Sequence, residues 1–511
     1  MRGPLQYSVT SLLFTQALFT LACSTPPDGS ADSNASSEDG EGTAGESETS
    51  DTGPASCVDA DGPWDAGYAI EGPDIPAGDP EQGLWALVHQ DYVNCGIPYD
   101  LFVTAAEFVA QLQNEPLPWR DGKAAELPYD WNLVVSEGGT ELVASNCLTC
   151  HADYFNDELI LGLGRHTADY TEDFGAFAGL LPMLEEGTDA ALELEKFRER
   201  TETLAPHVQT YTVGSNPADV IAIVLSAHRD PETLAWSSEA LNPLDPPMIV
   251  ADTPPWWRVK KKAGHFANGM SRGDHRGSMM FASSLCVDSV EQAEQMLDYF
   301  SDIRAYIASI EAPRYPWAID EQLAAEGEEI FTCDCAGCHG SYSQDPEAET
   351  YPNLLIPLDI IATDPVTAQL AASGEGSGQQ VEWFNSSWYG QFTELRPAAP
   401  FIGYVAPPLD GIWATAPFFH NGSAPSLAAV LDSSARPRYW RRATYDSTDF
   451  DRDQLGWRFV ELDYGQAEAS DTERKHIYDT TILAHGNGGH TFGDHLDDGQ
   501  RAAVLEYLKT L

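Results

Sequence analysis

Cys147-Leu148-Thr149-Cys150-His151 and Cys335-Ala336-Gly337-Cys338-His339 are two complete C-x-x-C-H motifs in a chain of 511 residues. This spacing is the attachment signature of c-type haem: the two thiols bind the haem vinyl groups and the histidine ligates the iron. A zinc knuckle would need four grouped ligands, and a thioredoxin-type redox pair needs no histidine directly after it. The motifs therefore predict two covalently bound haem c groups. The predicted residues are the thiols of Cys147, Cys150, Cys335 and Cys338 and the iron ligands His151 and His339.

The N-terminal residues have the pattern of an export signal. An apolar stretch between Leu12 and Ala22 precedes Cys23 and is too short to cross a membrane. We expect a lipoprotein signal peptide over residues 1–23, with a lipid on Cys23; the alternative is an ordinary secretory signal with an incidental cysteine. Residues 24–56 are rich in Ser, Gly, Thr, Asp and Glu, which predicts a disordered acidic tether. The expected location is periplasmic or cell-surface, with the protein anchored to the outer membrane.

The formal net charge of −53 argues against nucleic acid as a partner and favours solubility. Against this background two basic clusters are informative. Each is a candidate to pair with haem propionates, because buried carboxylates need cationic partners. The alternative for both is a solvated face or a docking patch for an acidic donor. The clusters are Arg258 with Lys260, Lys261 and Lys262, and Arg436 with Arg438, Arg441 and Arg442.

Four cysteines remain after the haem thiols and Cys23 are set aside. An even number in an exported protein predicts two disulfides. We expect Cys57 to pair with Cys95, which would join the tether to the folded body. Cys286 would then pair with Cys333, between the two haem motifs.

The chain is expected to fold as an N-terminal haem lobe over residues 57–312 and a C-terminal haem lobe over residues 313–511. Apolar residues at helical spacing from Val290 to Ile310 predict a long amphipathic helix, and Asp320 is a candidate cap for a helix that leads into the second motif. The segments between are rich in Pro, Gly and Trp and lack period-two alternation, which favours coil over sheet. The predicted fold class is mainly α: two cytochrome c-like lobes with extensive coil, each holding one covalent haem.

The sixth ligand of each iron separates electron transfer from chemistry on a small molecule. The last methionine is Met296, so a ligand downstream of the second motif has to be a histidine, or the position is open. His490, in a glycine-rich loop, is favoured over His420, which follows two phenylalanines. The other candidates at this haem are His476, His485 and His495.

The first haem has no decisive distal candidate. An apolar wall formed by Phe266 would favour binding of O2 or peroxide, whereas coordination by the adjacent His265 would close the site. The further candidates downstream are His166, His207, His228, His275, Met183, Met270, Met279 and Met280.

The stretch Tyr404–Ser423 resembles the C-terminal signature of dihaem proteins related to bacterial cytochrome c peroxidases and MauG-like oxidases. The wider pattern is most similar to the rubber oxygenase branch; it includes Trp256–Lys262, Tyr351–Pro365 and Gly489–Gly493. The resemblance implies an N-terminal haem where O2 or peroxide reacts and a C-terminal haem that relays electrons. It assigns His151 as proximal ligand at the reactive haem, His339 with His490 at the relay haem, and Phe266 as the distal residue. The chain departs from the peroxidases in having no methionine in its second lobe.

Three functions are compatible with these features. The expected function is a membrane-tethered dihaem cytochrome that transfers electrons. The alternative is a dihaem oxidoreductase that acts on peroxide or inserts O2 into an apolar substrate, with His265 and Phe266 at the reaction site. The third is a surface-displayed binding lipoprotein with structural haem. The expected partners are a redox protein or small electron donor, O2 or peroxide at an open haem, and a membrane contacted only through the lipid at Cys23.

Overall fold

A computed structural model describes residues 62–107, 112, 114–343, 345–373 and 377–511. The predicted signal peptide, the tether and Cys57 lie outside these residues. Those that are described belong to one compact unit, assigned to Ser56–Leu511. Within the described part of the chain, no helix combines the length and the apolar character needed to cross a bilayer.

The helices of the described residues are mostly short. They are α1 Pro80–His89, α2 Tyr99–Ala106, α3 Leu148–His151, α4 Phe174–Leu180, α5 Asp189–Leu204, α6 Ala218–Ala227, α7 Arg276–Ala282, α8 Val290–Ser309, α9 Glu321–Asp334, α10 Ala336–His339, α11 Leu358–Ile361, α12 Val366–Ala372, α13 Ser377–Ser386, α14 Leu427–Leu431, α15 Asp471–Arg474 and α16 Asp498–Leu508.

The strands are also short and form several small antiparallel sheets. They are β1 Tyr68–Ala69, β2 Ile97–Pro98, β3 Trp131–Val135, β4 Glu141–Ser145, β5 Ala152–Phe155, β6 Glu158–Leu161, β7 Gly264–His265, β8 Ser271–Gly273, β9 Leu354–Pro357, β10 Thr393–Leu395, β11 Gly403–Val405, β12 Tyr439–Arg442, β13 Phe450–Asp451, β14 Gly456–Trp457, β15 Phe459–Glu461 and β16 Tyr478–Asp479. The sheet orders are β1-β9-β11, β10-β8-β7, β15-β12-β16, β2-β4-β3, β13-β14 and β5-β6.

Two helices that the sequence pattern predicts, α8 and α9, each pack against another helix. Helix α8 is capped by the Ser289 side chain and packs against α1 through an apolar face that includes Phe300 and Ile307. Helix α9 is capped by Asp320, as predicted, packs against α16 and ends directly before the second motif. A side-chain oxygen at the N-cap accepts hydrogen bonds from backbone amides that have no partner within the helix, and so fixes where the helix begins.

The predicted fold class is wrong. The structure is 39% helical and 14% strand, with several small sheets and no clear two-lobe cytochrome layout. One buried cluster combines α1 and α8 with Trp383 and Phe384 of α13, and another combines Phe155 of β5 with Leu431 and Leu505 near the C-terminus. Each core thus draws on residues from both sides of the expected boundary. Strands of two to five residues show too little alternation to be read from sequence.

The predicted disulfide pairing is also wrong. Cys95 pairs with Cys286, with Cα atoms 5.6 Å apart and a sequence separation of 191. Cys333 is disulfide-bonded as well. Cys95 lies just before β2, Cys286 follows α7, and both are buried in the core that contains α1 and α8. This proximity arises from tertiary packing, which cysteine spacing does not encode.

Candidate functional site

The second C-x-x-C-H motif lies at the junction of α9 and α10. The Nδ1 atom of His339 lies 2.8 Å from the carbonyl oxygen of Pro407. Because a carbonyl can only accept, Nδ1 carries the proton and donates it, which leaves the Nε2 lone pair of the neutral imidazole available to a metal. The local structure therefore selects the tautomer that an iron ligand needs.

His490 lies opposite His339. The two ring centres are 6.3 Å apart, with 53° between the ring planes. Two imidazoles that bind one metal ion from opposite sides, each with a metal–nitrogen bond of about 2 Å, would place their ring centres roughly 6 Å apart. The observed separation fits one metal ion between the two rings.

The loop that carries His490 has an unusual backbone. His490 has a φ of 44° and Gly489 a φ of 72°, both in the left-handed region. A non-glycine residue rarely adopts this conformation, so surrounding contacts have to hold it. One of them is the hydrogen bond from the His490 amide to the carbonyl of Ile361, at 2.7 Å.

Arg436 is the second element that holds the His490 loop. Its guanidinium donates hydrogen bonds of 2.5–3.1 Å to backbone carbonyls only, and it lies over the ring of Phe419, which itself contacts His490. A planar fork of donors suits this arrangement better than an ammonium does. The accepting carbonyls are those of Ala429, Val430, Asn487, Gly489 and His490.

Both histidines of this pair are partly buried in the protein. Burial lowers the pKa of His490 to about 3, with a further lowering from His339, and burial also lowers the pKa of His339. Both rings are therefore neutral near pH 7, the form in which imidazole binds metals. The Nδ1 atom of His490 is buried and has no hydrogen-bond partner among the described residues.

The first motif lies between β4 and β5 and includes α3. The ring of His151 stacks on Trp256 at 4.9 Å, and burial lowers its pKa to about 4. The carbonyl of Pro254 opposes this lowering, although Nδ1 of His151 makes no hydrogen bond of standard geometry. The backbone amide of Cys147 donates to the Tyr92 hydroxyl at 3.2 Å, and the Cys150 sulfur lies 3.3 Å from the Tyr170 hydroxyl.

The four motif thiols fit covalent attachment of a cofactor. Cys147, Cys150, Cys335 and Cys338 form no disulfide, although the described chain also contains oxidised cysteines. Burial raises the pKa of Cys147 to about 11, of Cys335 to about 12 and of Cys338 to about 11, so these thiols are protonated at neutral pH. With a histidine next to each pair, the donor set matches the requirements of haem c.

His265 and Phe266 lie apart from both motif histidines in the described contacts. The His265 ring packs against His275 with ring centres 3.9 Å apart, and its Nδ1 lies 2.9 Å from the Ser278 hydroxyl. Phe266 has a φ of 66° and an exposed fraction of 38%. No described ring contact joins either residue to His151, and their roles at the first haem stay predictions.

The other histidine candidates at the second haem have different neighbours. His420 stacks on Tyr404 with ring centres 4.1 Å apart, and its Nε2 is buried without a partner in the described chain. The remaining three contact Tyr445, the Leu483 carbonyl and Asp334 respectively; they are His476, His485 and His495. His490 is therefore the predicted candidate that the described contacts bring to His339.

Many side chains of the two basic clusters form ion pairs or hydrogen bonds within the protein. Lys260 pairs with Glu311, Lys261 with Glu349 and Asp410, and the Arg258 Nε donates to the Asp410 carbonyl. In the second cluster, Nε and Nη2 of Arg442 are buried and unpartnered among the described residues. Arg442 is thus the arginine of that cluster with the clearest unused donors for a propionate.

The roles of several supporting residues were not predicted from sequence, in particular those of Pro254, Pro407 and Arg436. A signal for the first two exists, because a Pro-Pro pair stands at residues 254–255 and again at 407–408. In both sites the carbonyl of the first proline faces the motif histidine. The sequence marked Arg436 only as a member of a basic cluster. That cluster predicted a contact with haem propionates and not hydrogen bonds to backbone carbonyls.

These residues have the arrangement expected of a haem-binding site, and the cytochrome c-like similarity of the C-terminal part suggests a haem-binding cytochrome with covalent haem c. Residues 403–441 match the family model described as RoxA-like, cytochrome c-like. The match supports a relationship to the rubber oxygenase-like cytochromes. It contains Pro407, His420 and Arg436.

Two curated relatives are uncharacterised proteins of Sinorhizobium fredii (strain NBRC 101917 / NGR234). Protein y4iJ is 30% identical over 293 residues, which cover 45% of this chain and 47% of y4iJ. Protein y4iM is 29% identical over 233 residues, covering 38% of this chain and 50% of y4iM. The chain thus matches about half the length of each relative.

Proposed function

We propose that this protein is an exported dihaem c-type cytochrome that transfers electrons, with its second haem held between His339 and His490. The observation that carries the proposal is the opposed pair of neutral imidazoles, 6.3 Å between ring centres, directly after two thiols that form no disulfide. Two strong axial ligands leave no position for a substrate, which favours electron transfer at this site. A covalent haem supplies reversible one-electron chemistry at its iron.

Residues that lie between the two motifs in the sequence, together with a segment after the second motif, connect His151 to His339. Trp256 stacks on His151, and the neighbouring Trp257 donates from Nε1 to the Asp410 carbonyl at 2.8 Å. Asp410 is three residues from Pro407, whose carbonyl binds His339. Covalent bonds, a ring stack and two hydrogen bonds therefore link the two proximal histidines through packed protein.

The first test is the haem content of the purified, full-length protein. We expect two haems per chain that stay attached in denaturing gels, with at least one low-spin signal in the EPR spectrum. Replacing the first motif through Cys147→Ser and Cys150→Ser should leave one haem, and the same double change at Cys335 and Cys338 should leave the other. A chain that retains no haem, or one that loses both in either variant, would contradict the proposal.

A second candidate function is a peroxidase or dioxygenase that reacts at the first haem, with Phe266 and His265 on its distal side. One observation favours it: in the described residues the ring of His151 contacts Trp256, and no ring contact joins it to a histidine as one joins His339 to His490. The discriminating measurement is addition of CO, cyanide and peroxide to the haem-loaded protein. A high-spin component that binds these ligands supports the second function; two low-spin haems that ignore them support electron transfer alone.

Export and membrane attachment are part of the proposal through Cys23. Cys23→Ser should move the protein from the membrane fraction to the soluble fraction without altering its haem spectrum. Unchanged membrane association in this variant would remove the lipid anchor from the proposal.

A further inference from the structure

A groove of about 390 Å³ lies on the outer side of α1, at the surface of the protein. Two of its lining residues are tryptophans, Trp85 and Trp119, with exposed fractions of 49% and 51%. Large aromatic side chains are normally half to fully buried in a monomer, and paired exposed tryptophans are typical of binding surfaces. The remaining lining residues are Glu81, Leu84, Val88, His89 and Asp121.

The Trp85 ring is held by a neighbouring side chain, and Trp119 stands next in sequence to a buried, hydrogen-bonded arginine. The Trp85 ring stacks on His89 with centres 5.2 Å apart, and the His89 Nδ1 lies 2.9 Å from the Trp85 carbonyl. Trp119 precedes Arg120, which is buried and donates to the carbonyls of Leu127, Pro128 and Trp131. A partner that binds here would therefore meet a preformed aromatic surface at Trp85, at little cost in entropy of that side chain.

The Trp85 groove is connected to the first haem motif by a short chain of bonds. Two residues after Trp85, the Leu87 carbonyl accepts a hydrogen bond of 2.6 Å from the Tyr92 hydroxyl. The same hydroxyl accepts from the Cys147 amide at 3.2 Å. Leu87 and Tyr92 are fully buried, so the route runs through packed protein. It begins at an exposed indole and ends at a cysteine that carries a haem thioether in the proposed function.

The charges around the groove indicate the charge of the partner that would bind there. Glu81 and Asp121 line the groove, no lysine or arginine does, and the whole chain carries a net charge of −53. Complementary charge steers partners of opposite sign and speeds their association. An acidic donor would be repelled at this surface.

We propose that the Trp85 groove is the docking surface for a protein electron donor with a basic face, and that electrons enter through Trp85 toward Cys147. The inference rests on the proposed electron-transfer function and adds its partner and its route. The transfer would oxidise the donor by one electron, from ferrous to ferric, and would reduce by one electron the haem that His151 would hold. No covalent bond forms or breaks.

The test uses the haem-loaded, full-length protein and a small basic c-type cytochrome as the donor probe. Calorimetric titration with the zinc-substituted, redox-inactive form of this donor measures binding alone. Stopped-flow mixing with the ferrous form measures the transfer rate at low and high salt.

We expect the Trp85→Ala and Trp119→Ala double variant to weaken binding at least tenfold. We expect Tyr92→Phe to preserve binding but to lower the limiting transfer rate several-fold, because its hydroxyl bridges the route. Tyr68→Ala, an exposed aromatic residue on β1, is the matched control and should change neither value.

The outcomes separate this inference from the proposed function. Reduction of every variant by dithionite at the wild-type rate shows that the haems are intact and that only the docking route has changed. If the wild-type protein and the double variant bind the zinc-substituted donor equally, the groove is not the docking surface. Haems that dithionite does not reduce would instead contradict the proposed function.

Discussion

The imidazoles of His339 and His490 oppose one another with ring centres 6.3 Å apart, although the two residues are 151 positions apart in the sequence. Neither ring is protonated near neutral pH, because burial lowers both pKa values. Pro407 fixes the orientation of the first ring, while Arg436 and Ile361 hold the backbone of the second. The fold thus holds two neutral imidazoles at the spacing that a metal ion between them would require.

Replacing His490 with alanine should change the spin state of the second haem. The substitution removes one of the two opposed imidazoles, so a low-spin component of the EPR and visible spectra should become high-spin. His420→Ala is the matched control, since its ring stacks on Tyr404 and does not face His339. A His490→Ala spectrum identical to that of the wild type would exclude His490 as the ligand.

Arg436→Lys should loosen the loop that carries His490. An ammonium cannot serve all the carbonyls that the guanidinium reaches, and carbonyls left without partners cost about 1–3 kcal/mol. We expect the free energy of unfolding to fall by about that amount in urea titrations, and the low-spin signal to broaden or weaken. Arg438→Lys changes an exposed neighbour and should leave both measurements unaltered. A wild-type spectrum in Arg436→Lys would show that the Arg436 guanidinium does not position His490.

The stability of the protein should fall below about pH 6.5, and His420 should contribute to that fall. Burial lowers the pKa of His420 from 6.5 to about 3. Between these values the unfolded chain binds a proton that the folded chain does not, so stability is retained above pH 6.5 and is lost as the pH decreases. One such group contributes a slope of up to about 1.4 kcal/mol per pH unit.

The His420 contribution is measured by comparing wild type with His420→Gln in urea at pH 7.5, 6 and 5. The variant should show a shallower decline in the free energy of unfolding over this range. His495→Gln, at an exposed position, is the control and should follow the wild type. Parallel curves for wild type and His420→Gln would contradict the prediction.

Removing the Cys95–Cys286 disulfide should destabilise the protein. The bond closes a loop with a sequence separation of 191, so its loss releases the unfolded chain from a long constraint and should cost about 2–5 kcal/mol. Denaturant unfolding of the Cys95→Ala, Cys286→Ala double variant measures this cost. In Cys95→Ala alone, the Cys286 thiol should react with a labelling reagent only after denaturation, because it is buried. Rapid labelling of the native single variant would contradict the described burial of Cys286.

Much of the candidate site could be predicted from local sequence. The haem motifs, the cap at Asp320, helix α8 and the glycine-rich loop around His490 are encoded within a few residues each, and local patterns report them. The absence of methionine after Met296 directed attention to the downstream histidines. The disulfide pairing, the short strands and the shared cores were missed, because each depends on contacts between distant segments.

The sequence by itself determined the chemistry of the site. It contains two pairs of thiols, each followed by a histidine, and a set of downstream histidines able to supply a second iron ligand at the second motif. Only the tertiary structure decided which of them meet, since it brought His490 to His339 and placed His420 on Tyr404. It also assigned Arg436 to the backbone of the His490 loop and Cys95 to Cys286. The physical reason is that ligand type is a property of one residue, whereas ligand pairing requires burial and closure of long loops by the whole core.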